Sequence, residues 1–164
     1  LSIRDKYKGS HEQIAKHLKN NSNIELSKHD LERFYKVIIF NFIIGNADGH
    51  LKNYSLCHNN DGQGPVYSLA PFYDLMPVLL FAALDEDQLA LTVDGKKSKL
   101  QRRHFLNLAI KFGLNIQILD GFIEGFELNL GYFYDGFENF KVSAELLIAQ
   151  REYIEQQLKL LKGG

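Results

Sequence analysis

Hydrophobic and polar positions in the first third of the chain recur at helical spacing and predict two helices. Ser10 and Gln13 form a capping-box pattern, which predicts a first helix over about 11–20. A second cap at Ser27 begins a longer helix, because the apolar residues after it recur at three-, four- and seven-residue intervals. These residues are Leu31, Phe34, Tyr35, Ile38 and Phe42.

The second predicted helix ends in the block Val37–Ile44, which is apolar on almost every side. A helix of this kind is expected to be buried centrally. Gly45 follows the block and can adopt the positive φ that ends a helix. The helix therefore delivers the polar residues after Gly45 to a fixed place beside the core.

The pattern changes from helical to extended beyond this point. Two short segments, 54–58 and 66–70, flank a turn-rich loop and predict a β-hairpin over 54–70. Later segments are predicted as a strand at 89–93, a helix at 101–112 ended by Gly113, a weaker helix at about 115–130, an aromatic loop at 131–140, and a last helix that Ser143 caps and that reaches about Leu161. The sequence thus predicts a mainly α fold with a small β-hairpin, in a single domain over residues 1–164.

Composition and charge narrow the classes of function. The 164 residues suffice for a core, and the hydrophobic share of 45% is ordinary for a globular protein. A net charge of −1 gives no general basic field, so direct nucleic-acid binding is not expected, and no apolar run is long enough for a membrane span. The single cysteine, Cys57, is predicted to be a buried residue of a strand and fits a reducing, cytoplasmic compartment. Lys97 belongs to a local basic cluster that is expected to be solvated.

The polar segment after the central helix carries the candidate chemistry. Gly45–Ser55 reads Gly-Asn-Ala-Asp-Gly-His-Leu-Lys-Asn-Tyr-Ser, so Asn53 follows Asp48 by five positions. A second acid, Asp74, comes after the predicted hairpin, within 71–75. Kinase-type phosphotransferases have their catalytic residues in this order: an acid, an amide five residues later, and a second acid after two strands.

This order gives each residue a predicted role in phosphoryl transfer. Such a reaction needs a positioned acceptor and neutralised charge on the transferred group. Asp48 is predicted to be the base that orients the acceptor hydroxyl, while Asn53 and Asp74 supply hard oxygen ligands for Mg²⁺ on the phosphates of ATP. Lys52 is a candidate cation for the transferred phosphoryl group. His50 is a candidate for bracing the loop or positioning the carboxylate of Asp48.

Each of these residues also has a purely structural interpretation. Asp48 lies among turn-forming residues, Asn53 could cap a strand or turn, and Asp74 could cap a helix. Lys52 could be solvated, and His50 could be only a loop brace. The prediction of phosphoryl transfer therefore depends on the joint order of helix, acid, amide, hairpin and acid.

These motifs resemble the C-terminal lobe of HipA-like toxin kinases, of the HipA and HipT type. The resemblance is carried by Ile44–Ser55 and Leu69–Leu75, with supporting similarity at Lys6–Gly9 and Leu91–Lys96. It implies the C-terminal lobe of a protein-kinase-like fold. It also implies a serine/threonine protein kinase of a bacterial toxin–antitoxin system that uses ATP and Mg²⁺.

By position, Asp48 matches the catalytic aspartate of that family, and Asn53 and Asp74 match its magnesium ligands. The resemblance implies a protein substrate, such as an aminoacyl-tRNA synthetase, and an antitoxin protein as partners. Ala47 stands where typical eukaryotic kinases have an arginine. Activation by docking a phosphorylated loop onto that arginine is therefore not expected.

One part of a kinase is not found in the sequence. A kinase also needs a glycine-rich loop, a strand lysine and its glutamate partner ahead of the catalytic loop. The 47 residues before Asp48 contain no glycine-rich loop. The ATP-cradling N-lobe is therefore expected elsewhere in the full-length or split protein, and this chain alone is expected to bind nucleotide poorly and to show no turnover.

Two other functions compete with the protein kinase. A non-catalytic, degenerate kinase lobe could bind an antitoxin or another partner, although the intact set of Asp48, Asn53 and Asp74 favours catalysis. A small-molecule kinase resembling antibiotic phosphotransferases would share the spacing from acid to amide. Those enzymes usually place a histidine before the base, where this chain has Asn46.

Overall fold

The computed structural model describes residues 5–20, 27–60, 65–81, 87–139 and 142–163. Within these residues the chain forms six α-helices and one two-stranded antiparallel sheet, which confirms the predicted fold class. The helices are α1 (His11–Asn20), α2 (Lys28–Ile44), α3 (Arg102–Phe112), α4 (Ile118–Leu128), α5 (Leu130–Asn139) and α6 (Ala144–Lys162). The strands are β1 (Leu56–Asn60) and β2 (Pro65–Leu69), and three short 3-10 helices cover Asp5–Tyr7, Leu51–Asn53 and Val78–Leu80.

Helix α2 is the centre of the core, and α3, α4, α6 and β2 pack against it. Its predicted apolar face is buried, with Phe34 and Phe42 completely shielded from solvent. Burying a side chain of this size contributes roughly 1.5–3 kcal/mol. The hydroxyl of Ser27 accepts a hydrogen bond from the backbone of Asp30 at 3.0 Å, and Gly45 ends the helix with a φ of 80°. Both predicted ends of α2 are therefore confirmed.

The predicted helices at 11–20, 101–112 and 143–161 are also confirmed. Ser10 and Gln13 exchange hydrogen bonds of 3.0 and 3.1 Å at the start of α1. Gly113 ends α3 with a φ of 73°, and the Ser143 hydroxyl caps α6. None of the helices in the described ranges is both long enough and apolar enough to cross a bilayer.

The hairpin is present, but its cysteine is not buried. Leu56 pairs with Leu69, and Cys57 pairs with Ser68. Residues 61–64 of the predicted turn lie outside the described residues. Leu69 is buried and Leu56 packs against the core. Since side chains alternate between the faces of a strand, Cys57 points away from the core and is exposed, so the prediction of a buried cysteine was wrong.

The segment predicted as a strand at 89–93 is buried but does not form one. Thr92 makes a single bridge to Ser10, and Val93 makes another to Lys96. Asp94 adopts a φ of 49°, which turns the chain back immediately after Val93. In the described part of the chain only β1 and β2 form a sheet. The apolar segment 89–93 therefore has no neighbouring strand with which it could form more than single bridges.

The aromatic segment at 131–140 is helical rather than the predicted loop, because it lies mostly in α5. The Phe133 ring packs 6.3 Å from that of Phe40 and 6.0 Å from that of Phe126, measured between centroids. Gly131 and Gly136 each lower helix propensity by about 1 kcal/mol, and packing of Phe133 and Tyr134 against the core offsets this cost. Tertiary packing therefore decides the structure of this segment.

Candidate active site

The C-terminus of α2 fixes the start of the predicted catalytic loop. The backbone N–H of Asn46 donates to the carbonyl of Asn41 at 2.8 Å, and the Gly45 carbonyl accepts from the backbone of Leu79 at 3.1 Å. A Cβ at Gly45 would lie 3.0 Å from a ring carbon of Tyr153 on α6. The positive φ and this close approach together require glycine here.

Asp48 lies in this loop and is contacted by two residues from the 3-10 helix at Asp5–Tyr7. The Tyr7 hydroxyl donates to Oδ1 of Asp48 at 2.5 Å. The Lys6 ammonium lies 4.0 Å from the same oxygen and 4.6 Å from the centroid of the Tyr7 ring. A hydrogen bond to Tyr7 raises the pKa of Lys6, and the negative charges of Asp48 and Asp74 raise it further. Lys6 therefore stays protonated beside Asp48.

Asn53 and Asp74, the two residues predicted to hold a metal ion, are in direct contact. The side-chain amide of Asn53 donates to Oδ2 of Asp74 at 2.9 Å. Its carbonyl oxygen accepts a hydrogen bond of 2.9 Å from the backbone of His50. Asp74 is exposed and adopts a φ of 59°, a conformation that is rare for residues other than glycine and is concentrated at functional sites.

Asn46 joins the two halves of the site. Its side-chain amide donates to the Asn41 side chain at 3.1 Å and to the backbone carbonyl of Asp74 at 3.0 Å. Its side-chain oxygen accepts from the backbone N–H of Asp48 at 3.3 Å. Because Asn46 is 1% exposed, loss of these bonds would leave buried polar groups without partners. Asn46 is therefore a buried link between the loop of Asp48 and the loop of Asp74, in addition to the bond from Asn53 to Asp74.

A line of buried polar side chains continues from Asn41 into α1. Asn41 is hydrogen-bonded to Tyr54, and the Tyr54 hydroxyl lies 3.3 Å from Nε2 of His11. Nδ1 of His11 lies 3.1 Å from the carbonyl of Thr92. Burial lowers the pKa of His11 to about 4, so the ring is neutral at pH 7. A carbonyl can only accept, so Nδ1 carries the proton and Nε2 accepts from Tyr54.

His50 and Lys52 occupy different environments. His50 is 7% exposed, its ring meets the Tyr7 ring edge-on at 5.4 Å, and its Nδ1 is buried without a hydrogen-bond partner among the residues that the structure describes. This position agrees with a brace between Tyr7 and the loop. The Lys52 side chain is exposed, whereas its backbone carbonyl accepts from the Tyr73 hydroxyl at 2.6 Å.

The donor atoms of Asn53 and Asp74 fit a magnesium ion. Carboxylate and amide oxygens are hard ligands, and Mg²⁺ is usually held by one or two carboxylates together with phosphate oxygens and water. Oδ1 of Asp74 has no hydrogen bond among the described residues, and the Asn53 oxygen retains a second lone pair. No group of three or more His, Cys, Asp or Glu residues in the described part of the chain could hold a metal ion by itself. A cation here would therefore depend on a bound nucleotide for most of its ligands.

Sequence reasoning missed the residues that position the predicted catalytic groups. Tyr7 and Lys6 lie in a segment whose family similarity was visible, but no charge pattern linked it to Asp48. Lys97 was placed in a solvated basic cluster, yet its ammonium donates to the backbone carbonyl of Tyr7 at 3.3 Å. Asn46 reads as an ordinary turn residue. The contacts of Tyr7, Lys6 and Lys97 join residues that are 41 to 90 positions apart in the sequence. The spacing of neighbouring residues could therefore not reveal them.

Comparisons with known proteins agree with this architecture. Residues 1–128 match the sequence model of a family described as "HipA-like C-terminal domain". "Putative kinase Y4dM" of Sinorhizobium fredii is 32% identical over 114 residues, which are 68% of this chain and 26% of that protein. "Putative kinase Y4mE" of the same organism is 40% identical over 55 residues, 34% of this chain and 12% of that protein. HipA of Shewanella oneidensis MR-1, solved with HipB and operator DNA, superposes with a TM-score of 0.68 at 16% identity, over 99% of this chain and 39% of that chain.

A helical lobe in which a hairpin separates two loops, and of which 99% superposes on part of HipA, has the fold of that part of HipA. More particularly, the chain belongs to the HipA-like C-terminal domain family. It spans about a quarter of the length of Y4dM and less of the other curated relative. At 16% identity the match to HipA shows a shared fold.

Proposed function

We propose that this chain is the catalytic lobe of an ATP-dependent serine/threonine protein kinase. The observation that carries the proposal is the connection among three residues that the sequence singles out. Asn53 binds Asp74 directly, and Asn46 links the backbone of Asp48 to the backbone of Asp74. An acid and a metal-binding pair held in one hydrogen-bonded unit meet the main requirement of phosphoryl transfer, which is positioning.

Asp48 is the proposed general base. Its Oδ1 is held by Tyr7, while its Oδ2 has no hydrogen bond among the described residues and can accept one from a serine or threonine hydroxyl. As the acceptor oxygen bonds to the γ-phosphorus of ATP, the bond from that phosphorus to the β–γ bridging oxygen breaks. The hydroxyl proton passes to Oδ2 of Asp48, and ADP is the leaving group.

The neighbouring residues have supporting roles. Asn53 and Asp74 would hold Mg²⁺, which neutralises charge on the phosphates when it is bound. Lys52 is exposed near this pair in sequence and is the proposed cation for the transferred phosphoryl group. His50 packs against Tyr7 and so helps to fix the residue that holds Asp48.

The biological setting is proposed from the family. A HipA that superposes on this chain was solved with HipB and operator DNA. For this chain we propose a toxin–antitoxin system, an antitoxin protein as partner and a protein substrate such as an aminoacyl-tRNA synthetase. We further propose that residues 1–164 form one lobe and that the ATP-cradling lobe lies elsewhere in the assembled kinase.

The test is phosphate transfer by the gene product that contains this chain, with labelled ATP, magnesium and cell protein as acceptor. Asp48→Asn keeps the size of the side chain and removes the base, so we expect labelling to fall by at least about a hundredfold. Asp135→Asn, at an exposed position of α5, is the matched control and keeps wild-type labelling. Full activity of Asp48→Asn would remove this residue from the base role, and absence of any transfer by the wild-type protein would favour a non-catalytic lobe that binds a partner.

A further inference from the structure

A cavity of about 460 Å³ opens beside Asp48, and Asp48 and Ala47 form part of its wall. Neither Asn53 nor Asp74 lines it. Asp48 therefore stands between two regions, one with the proposed metal pair and one with this cavity. If the nucleotide phosphates lie at the metal pair, the cavity is on the side from which an acceptor hydroxyl reaches Asp48.

The interior of this cavity is mostly apolar. Val78 and Leu79 form one wall, and Leu89 and Ala90 form another. The charged side chains Asp87 and Lys97 also line it. The Tyr7 side chain lines it too. The volume is in the range of ordinary ligand sites, and the apolar walls suit a hydrophobic side chain of the ligand.

Backbone hydrogen bonds hold both walls in place. The Leu79 N–H donates to the Gly45 carbonyl at 3.1 Å, which ties the first wall to the catalytic loop. The backbone N–H groups of Gln88 and Leu89 both donate to the Lys97 carbonyl, at 2.8 and 3.2 Å. The Gln88 side chain in turn donates to Gln157 of α6 at 3.2 Å. The cavity is therefore formed before any ligand binds.

Exposed apolar surface continues from the first wall. Phe81 follows directly on the 3-10 helix Val78–Leu80 and is 60% exposed. An acceptor that presented only a hydroxyl would leave this ring in water. A polypeptide segment is long enough to fill the cavity and to cover Phe81 as well.

We propose that this cavity binds the acceptor segment of a protein substrate, with an apolar residue next to the phosphorylated serine or threonine. The inference rests on the proposed kinase function, and it adds a preference for a particular amino-acid sequence around the phosphorylated residue of the substrate. The acceptor hydroxyl meets Oδ2 of Asp48, and the neighbouring apolar side chain enters between Val78 and Leu89. On this account the enzyme phosphorylates serine or threonine residues of a peptide segment, and the apolar neighbour of that residue determines which segments bind.

The experiment is a peptide array phosphorylated by the gene product that contains this chain. The array varies each residue around a fixed serine, and we expect leucine, isoleucine, valine or phenylalanine at one adjacent position to be preferred. Val78→Lys places a cation in the partly exposed wall, so kcat/KM for apolar peptides is expected to fall about tenfold, with preference shifting to Asp or Glu. The KM for ATP is expected to stay unchanged. Ile148→Lys, at an exposed position of α6, is the control.

A second measurement keeps the test independent of catalysis. Without ATP, N-acetyl-Leu-Ser-Leu-amide is expected to shift the methyl NMR signals of Val78, Leu79 and Leu89, and N-acetyl-Gly-Ser-Gly-amide is not. Phosphorylation without preference at any adjacent position, or an unchanged preference in Val78→Lys, would overturn the acceptor cavity while leaving the kinase function in place. Shifts at these methyls in a protein that transfers no phosphate would instead overturn the kinase function and the acceptor role together.

Discussion

Tyr7 donates a hydrogen bond of 2.5 Å to Asp48 across 41 residues of sequence. The bond occupies one carboxylate oxygen of the proposed base and leaves the other for an acceptor hydroxyl. Lys97 donates to the backbone carbonyl of Tyr7, and the Lys6 ammonium lies 4.0 Å from Asp48. The orientation of Asp48 therefore depends on the 3-10 helix Asp5–Tyr7, which is separated from the catalytic loop by α1 and α2.

Replacement of Tyr7 by phenylalanine tests this dependence. Hydrogen bonds to charged groups contribute about 1.5–3 kcal/mol when buried and less when partly exposed, as here, so we expect kcat to fall about tenfold. The KM for ATP is expected to stay constant, because Tyr7 makes no hydrogen bond to Asn53 or Asp74 in the described part of the chain. Steady-state kinetics of both parameters check this. Tyr132→Phe, which removes a hydroxyl from a ring that is 79% exposed, is the control.

An unchanged kcat in Tyr7→Phe would show that the loop holds Asp48 without help. A rise in KM for ATP with constant kcat would instead place Tyr7 beside the nucleotide.

The second prediction concerns the buried amide that joins the two loops. Asn46→Asp has the same shape but cannot donate to the Asn41 side chain or to the Asp74 carbonyl. One buried and one partly buried acceptor lose their donor, so the free energy of unfolding is expected to fall by about 2 kcal/mol. Urea unfolding measures this change. Asn115→Asp, at an exposed turn, is expected to change stability by less than about 0.5 kcal/mol, and an equal loss in both variants would contradict the linking role.

The third prediction concerns pH and His11. Burial lowers the pKa of His11 in the folded state to about 4, below its unfolded value of 6.5. Between these values the unfolded chain binds more protons, so stability is fully present above pH 6.5 and is lost as the pH falls toward 4. The loss amounts to about 3 kcal/mol, since each pKa unit corresponds to about 1.4 kcal/mol.

Unfolding free energies of the wild type and His11→Gln, each measured at pH 7 and pH 4.5, isolate this contribution. The wild type is expected to lose more stability than the variant over this interval. Equal losses in the two proteins would mean that the imidazole titrates as it does in the unfolded chain. NMR titration of the His11 ring provides the pKa directly.

The fourth prediction concerns the glycine at the end of α2. Gly45→Ala places a methyl group at a φ of 80° and 3.0 Å from the Tyr153 ring. Gly163→Ala has a similar φ, of 89°, but its nearest neighbour is 3.7 Å away at the end of the flexible Arg102 side chain. The conformational cost, about 1–2 kcal/mol, is common to both variants. Gly45→Ala is expected to lose about 1 kcal/mol more through the contact with Tyr153.

Thermal unfolding of the two alanine variants measures the difference. Introducing Tyr153→Leu into the Gly45→Ala protein is expected to recover part of the additional loss. Equal destabilisation at positions 45 and 163 would show that Tyr153 moves aside freely.

The sequence predicted those elements whose signals are local. Caps at Ser10, Ser27 and Ser143 and glycine stops at 45 and 113 are read from a few adjacent residues, and all of them appear in the structure. The predicted strand at 89–93 failed because a strand needs a partner, and nothing in that segment specifies one. The aromatic segment at 131–140 failed because contacts with Phe40 and Phe126 decide its conformation.

The residues of the predicted site also differ in whether local sequence signals could reveal them. Asp48, Asn53 and Asp74 could be found because their order along the chain is characteristic of a reaction class. Tyr7, Asn46 and Lys97 could not, since their roles arise from contacts that form only in the folded chain. His11 shows the limit most clearly, because no spacing indicates that a histidine in the first turn of α1 is hydrogen-bonded to Tyr54, near the end of the catalytic loop.

The most direct test of the site is binding of Mn²⁺, a paramagnetic substitute for Mg²⁺, together with ATP to the gene product that contains this chain, observed in backbone amide NMR spectra. We expect substoichiometric Mn²⁺ to broaden the signals of Asn53 and Asp74 first and that of Asp48 next, with Asp74→Asn abolishing the effect and excess Mg²⁺ reversing it. Sharp signals at Asn53 and Asp74, while amides in another part of the chain broaden, would contradict the proposed cation pair and the phosphoryl-transfer site built on it.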